Sequence, residues 1–311
     1  MKISLFHTVE RPKTGNTVLT GGWPLPYPRF HCETRGEELN INFEYQFGPN
    51  REWRIVVAST RELREKAFRL VYDVYIREGY ELRFGRESGL WCTIHHLHPD
   101  TTIFLAEKEG RLAGSVTVIP DSRLGLPTDR IFPEPLSDLR KAGRGLSEIS
   151  SLVVTEEPGG IPPELAMHLY RLAHLVSLRM LKSTDIVASV MAHHRDFYSR
   201  FLLFDEVSEA PRLSPKTDQQ VSYVRLNLET MKERYEQRYA RATGRRNLYR
   251  WFFQNEDEPA IVDWLRRSRS PMTTEDLYYF GAQKTNILAK AGHDVIAILE
   301  EEYRLAGAVA E

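Results

Sequence analysis

The stretch that most constrains this chain is LSEISSLVV, Leu146 to Val154. It is apolar enough to be a buried strand, yet it carries a carboxylate, Glu148, in its middle. A carboxylate in such a place must be paired, hydrogen-bonded or held neutral, because an isolated buried charge is too costly. Either Glu148 pairs with an arginine such as Arg69 or Arg144, or its raised pKa makes it a base that works near neutral pH.

The totals rule out several classes. At 311 residues and 41% hydrophobic content the chain supports a sizeable core. A formal net charge of −1 gives no global field toward nucleic acid or an anionic membrane. The two cysteines, Cys32 and Cys92, make neither a disulfide framework nor a thiolate metal site. MKISLFHTVERPK lacks the apolar run of a signal peptide, and no segment approaches the ~20 apolar residues of a membrane span. A reducing, cytoplasmic setting is the resulting expectation.

Along the chain, residues 1–50 read as an N-terminal extension with one strand, Leu39 to Phe47. Trp53 to Ser59 reads as a strand running into a helix. Ser59 and Glu62 form an S-x-x-E start signal, and Gly79 ends the helix. Leu63, Ala67, Leu70, Val71 and Val74 mark its buried face. Thr102 to Lys108 and Leu112 to Ile119 form a hairpin, and Asp121 to Gly145 a long connection. After the Glu148 strand come a helix over about Pro162 to Lys182, a continuous apolar strand Asp185 to Ala192, a short helix His193 to Phe204 and a closing strand Gln219 to Leu228. Helices over about 229–243, 246–254, 258–268 and 274–305 follow. The expected organisation is therefore 1–50, a domain over 51–228, and a helical extension over 229–311.

The element order β-α-β-β-β-α-β-α-β over residues 51–228 is that of the GCN5-related acyltransferase fold, an α/β (α+β) fold with a mixed central sheet flanked by helices. Four local strings narrow it: FRLVYDVYIREGY, TTIFLAEKEGRLAGSVTVIPDSRLGLP, LSEISSLVV and VMAHHRDFYSRFLLF. In order and spacing they resemble the long-chain N-acyl amino acid synthases, a bacterial branch of that fold related to acyl-homoserine lactone synthases. The resemblance covers residues 53–228. It implies an N-acyltransferase that takes a fatty acyl group from the phosphopantetheine thioester of acyl carrier protein, with coenzyme A as the other possible donor. The acceptor it implies is the amine of an amino acid or similar small molecule. No tightly bound cofactor is implied.

Amide formation from a thioester needs a base for the amine, donors for the oxyanion and an acid for the thiolate. By the resemblance, Glu148 is the base and Tyr198 the acid, although a tyrosine there also suits packing against Phe197 and Phe201. The resemblance also implies that backbone N–H groups near Leu152 and Val153 are the oxyanion donors and that Leu152, Val153 and Val154 line the pantetheine path. Arg69, Tyr72, Tyr75, Ser150 and Ser151 are the acceptor- or acyl-binding candidates; Arg69 alternatively pairs with Asp73 one turn away. Arg241, Arg245, Arg246 and Arg250 make a basic cluster that suits an acidic carrier protein, or simply a solvated helical face. His95, His96 and His98 have no acidic or cysteine partners at ligand spacing, so no metal is expected.

Three departures from the family pattern stand out. Relatives carry arginine after Glu-x-Ser, where this chain has Ser151. The turn that cradles a pyrophosphate in coenzyme A-dependent relatives reads TEEPGGIPPEL, and Glu156 and Glu157 repel a diphosphate, which favours the carrier-protein donor. The usual Leu-Gly-Phe after the last short helix is Leu202-Leu203-Phe204, which predicts a locally different turn. The alternatives to the main reading are a coenzyme A-dependent small-molecule acetyltransferase and a non-catalytic binding or regulatory module.

Overall fold

The computed structural model describes residues 45–48, 50–155, 163–243 and 247–309. Among them a nine-stranded sheet runs β1 (Tyr45–Phe47), β2 (Trp53–Val57), β3 (Thr102–Lys108), β4 (Arg111–Pro120), β5 (Leu146–Val154), β6 (Asp185–Met191), β9 (Gln220–Asn227) and β7 (Asp205–Glu206). The two-residue β8 (Arg212–Leu213) also pairs with β9. Neighbours are antiparallel except β5 and β6, which run parallel because α3 (Pro163–Leu175) crosses between them. The fold is thus the expected mixed sheet with helices on both faces.

Alternation along the strands divides the core into two layers. Ile186, Ala188 and Val190 of β6 join α3 in one layer, together with Tyr235 of α4 (Leu228–Tyr239), Phe252 of α5 (Leu248–Phe253) and Trp264 of α6 (Glu258–Ser268). On the opposite face, Ile103, Leu105 and Val153 pack with α1 (Arg61–Arg77). Beside them Leu146, Val187 and Tyr223 pack with α2 (Pro133–Lys141).

Several local expectations shift. The first helix is capped by Thr60, whose Oγ1 accepts from the Leu63 N–H at 3.3 Å, rather than by Ser59. Glu62 pairs with Lys66 instead of closing a capping box. The long connection after β4 holds a 3₁₀ turn, Pro127–Arg130, and the helix α2, whose start carries Pro133 and Pro135. The region 274–305 is not one helix. Asn286 adopts φ 57° and separates α7 (Thr274–Tyr278) and its following turn from α8 (Ile287–Lys290) and α9 (His293–Val309). Of the expected strand Leu39 to Phe47, residues 39–44 lie outside the described residues. Among the described residues no helix is long and apolar enough to cross a membrane.

The turn after the last short helix is also a correction. Leu203 does take the left-handed conformation, φ 56°, that favours glycine. The hydrogen bond from Phe204 N–H to the Tyr198 carbonyl, 2.9 Å, holds it there. A left-handed leucine costs about 1–2 kcal/mol.

The helices after residue 228 are tied to the sheet by buried ion pairs. Arg171 of α3 is 1% exposed and grips Asp257 with two bonds, 2.6 and 3.2 Å. Arg64 of α1 is held by Asp276 at 2.7 Å. Two outcomes follow. Asp257→Asn leaves a buried guanidinium uncompensated and lowers stability by about 3 kcal/mol in denaturant unfolding. Leu203→Gly loses packing but relieves backbone strain, so it stays within about 1 kcal/mol of wild type, against the 2–5 kcal/mol of an ordinary buried leucine truncation.

Candidate active site

The parallel pairing of β5 with β6 lasts for three residue pairs only: Leu146 with Asp185, Ser147 with Ile186, and Glu148 with Val187. Beyond Glu148 the strands part. On the other side of β5, Ser115 faces Val153 and Thr117 faces Ser150, so Ser151 and Leu152 together oppose Val116. This bulge is enabled by Ser151, whose φ is 53°. A cleft of about 160 Å³ opens where the strands diverge. Its lining runs through Ile149 to Val154 of β5 and Ser189 to Met191 of β6. Tyr75 and Tyr80 flank it from one layer, and Tyr170, Phe197 and Tyr198 from the other.

Glu148 sits at the last paired position and is 2% exposed. The Thr128 N–H donates to its Oε2 at 2.9 Å, and the Thr128 hydroxyl lies 2.6 Å from that of Ser189. Burial raises its carboxyl from the ordinary 4.5 to about 7, against the bonds from Thr128 and the charge of Lys216. Neither expected arginine pairs with it. Arg144 bonds Asp185 at 2.6 Å and also Glu229, and Arg69 bonds Glu65 at 3.3 Å. Its cationic neighbour is Lys216. Burial pushes that ammonium down, Glu148 opposes the shift, and Arg130 adds to it. Among the described residues the Lys216 ammonium makes no hydrogen bond or ion pair.

Across the cleft, burial raises the Tyr198 phenol to about 12, so it stays protonated at neutral pH. Its ring stands edge-on to Phe197 and Phe204, at 5.8 and 5.4 Å. Ser151 Oγ accepts from Trp91 Nε1 at 3.2 Å and lies beside the Tyr75 phenol. The Trp91 ring stacks on Phe84 and meets Tyr75 edge-on. A protonated phenol and a bulged strand line one cleft, and a buried carboxyl poised near neutrality stands behind it, so an acid, backbone donors and a base lie close together.

The sequence profile described as N-acyl amino acid synthase FeeM matches residues 66–227. The chain belongs to this family. Among solved structures, FeeM, an N-acyl amino acid synthase from uncultured soil microbes, is 20% identical with a TM-score of 0.51, over 58% of this chain and 93% of that one. The acyl-homoserine lactone synthase LasI is 14% identical with a TM-score of 0.43, over 57% of this chain and 89% of that one. A coenzyme A-dependent acyl-homoserine lactone synthase, BjaI, is 18% identical with a TM-score of 0.42, over 58% and 88%. No curated protein sequence matches. The N-acyl amino acid synthase family makes this chain an acyltransferase, on the acyltransferase fold that its sheet displays.

Within that frame, the cleft gathers Tyr75, Ser150, Ser151, Leu152, Val153, Val154 and Tyr198. Glu148 stands behind it, joined to its wall through Thr128 and Ser189. Arg69 and Tyr72 are elsewhere. Arg69 lies on the outer face of α1, with Glu65, Lys66 and Asp73, and is half-exposed. Tyr72 packs beside Gly85. Arg241 and Arg250 are exposed, and Arg245 and Arg246 lie outside the described residues. The donor-side turn with Glu156 and Glu157 also lies outside them. His96 uses Nδ1 to hold the Thr93 N–H at 3.1 Å, closing a turn. Among the described residues no three His, Cys, Asp or Glu converge as metal ligands would.

Sequence reasoning missed Thr128, Ser189 and Lys216. Ser189 had a signal, being a lone hydroxyl in the interior of an apolar strand. Lys216 had none, because only tertiary packing brings its loop to Glu148.

The raised carboxyl has a stability consequence. Its folded pKa, about 7, exceeds the unfolded 4.5, so its contribution is intact below about 4.5 and lost as pH rises through 7. Lys216, Asp129 and Tyr223 face it and share this linkage. Glu148→Gln is therefore expected to gain stability over wild type above pH 7 and none below 4.5, measured by urea unfolding across pH.

Proposed function

We propose that this enzyme transfers a fatty acyl group from an acyl carrier protein thioester to the α-amine of an amino acid. The observation that carries the reading is Glu148, a carboxyl raised to about 7 at the point where β5 leaves β6. There it draws a proton from the incoming amine and lets nitrogen attack the thioester carbonyl. Backbone N–H groups near Leu152 and Val153, at the bulge, hold the developing oxyanion. Tyr198 gives a proton to the leaving thiolate as the carbon–sulfur bond breaks. The products are an N-acyl amino acid and the free carrier thiol.

Two features support the finer assignments. The acceptor carboxylate needs a cation, and the family's arginine is Ser151 here. Lys216, close to Glu148 and with no side-chain hydrogen bond or ion pair among the described residues, supplies that charge instead. For the donor, the acidic sequence Thr155-Glu156-Glu157 disfavours a diphosphate, whereas exposed Arg238 and Arg241 complement an acidic carrier protein.

The purified enzyme, given a long-chain acyl carrier protein, an equal concentration of the matching acyl-coenzyme A, and a mixture of amino acids, is expected to form N-acyl amino acids from the carrier-bound donor. Mass spectrometry of the extract identifies the acceptor. Product from acyl-coenzyme A alone contradicts the donor assignment. Tyr198→Phe is expected to lower kcat by roughly 10- to 100-fold with little change in KM. Lys216→Met is expected to raise KM for the amino acid at least about tenfold and leave that for its carboxamide unchanged.

A further inference from the structure

Glu148 itself is not part of the cleft wall, whereas Ser189 is. We infer that the hydroxyls of Ser189 and Thr128 form a relay that carries the amine proton to Glu148, with Ser189 as the group that touches the amine.

The hydrogen-bond inventory fixes its direction. Thr128 has one hydroxyl proton. Its backbone N–H is bound to Glu148 Oε2 at 2.9 Å, which brings its hydroxyl close enough to the same carboxylate to favour the charged form. With that proton given to Glu148, the Thr128 oxygen can only accept from Ser189, 2.6 Å away. The Ser189 oxygen then presents its lone pairs to the cleft, as a base requires. The two hydroxyls thus extend the reach of a carboxylate that the sheet keeps away from the substrate.

The relay is held rigidly. Thr128 is fully buried on the Pro127–Arg130 turn. Asp129 Oδ2 accepts from the Leu126 N–H at 2.6 Å, and Arg140 clamps Asp129 and Asp121 together at 2.6 and 2.7 Å. Ser189 is fixed by strand pairing opposite Tyr223 on β9. The two hydroxyls already stand at hydrogen-bond distance from each other, 2.6 Å.

The proton balance closes. An amino acid ammonium sheds two protons on becoming an amide. One passes to the Ser189 oxygen while the Ser189 proton moves to Thr128 and the Thr128 proton to Glu148, which later releases it to solvent. Nitrogen then bonds to the thioester carbon. The second proton replaces the one that Tyr198 delivers to sulfur as the carbon–sulfur bond breaks.

This inference rests on Glu148 being the base, and the test separates the two. Thr128→Val, Ser189→Ala and Glu148→Gln are compared using an amino acid and, in parallel, an aminooxy acid whose nitrogen is already neutral at pH 7. With the amino acid, Thr128→Val and Ser189→Ala are each expected to lower kcat by roughly 10- to 100-fold, with KM within about twofold. Thr128→Ser is expected to recover to within about threefold of wild type. The Thr128→Val/Ser189→Ala double variant should be no worse than either single, since both cut one path. With the aminooxy acid the single-variant losses should shrink below about threefold. Equal losses with both acceptors would mean that the hydroxyls only support the fold and would overturn the relay. Near-normal Thr128→Val and Ser189→Ala beside an inactive Glu148→Gln would overturn it too, leaving Glu148 as a direct base. A fully active Glu148→Gln would instead remove the base assignment itself.

Discussion

The site depends on how briefly β5 and β6 stay together. Parallel strands held along their whole length would leave no opening between them. Here three pairs hold and then the strands part, while the bulge at Ser151 and Leu152 bends β5 away on its other side. The same divergence does two jobs. It opens the cleft, and it leaves Glu148 buried at the last closed position, with the Thr128 and Ser189 hydroxyls between it and the cleft wall. A carboxyl one register further along would face the cleft directly, with less burial to raise its pKa.

The buried charges around this seam are each answered locally. Asp185, at the base of β6, is fully buried and receives both Arg144 and Arg225, at 2.6 and 2.7 Å. That pairing takes up Arg144 and leaves Glu148 without an arginine, so burial dominates its titration. Lys216 balances the charge only partly, which keeps the carboxyl available to a proton rather than locked in a salt bridge. Arg171 with Asp257 and Arg64 with Asp276 do the opposite, as tight pairs that fasten the later helices to α3 and α1. The ion pairs that hold the fold are satisfied, and the one beside the cleft is not.

How much of this was legible varies by element. The limits of β5 and the hairpin before it can be read from apolar runs and a turn, and both strands form within a residue or two of the expected ends. The first helix is legible too, although the choice between Ser59 and Thr60 as cap depends on backbone angles that sequence leaves open. Leu203 shows the limit of a propensity argument. Its left-handed strain is real, but the surrounding packing and the Phe204 bond outweigh it. At the site, Tyr75 lies on a helix face that periodicity fixes, so it reaches the cleft, whereas Ser151 reaches it through a bulge that strand alternation does not foretell. Arg69 lies on the polar side of the same helix and does not. Thr128 and Lys216 come from loops whose positions are set by distant partners, Arg140 for one and Arg83 for the other, and no local pattern marks them.

The account stands on Glu148 being a carboxyl that burial holds protonated up to neutrality and that the splayed strands keep within reach of the cleft. The direct measurement is its titration in the folded enzyme, by infrared difference spectroscopy of the carboxyl band against Glu148→Gln. The account predicts a band that disappears with a midpoint near pH 7 and coincides with the acid limb of kcat/KM. A midpoint near the ordinary 4.5, or an acid limb unchanged by the substitution, would contradict it.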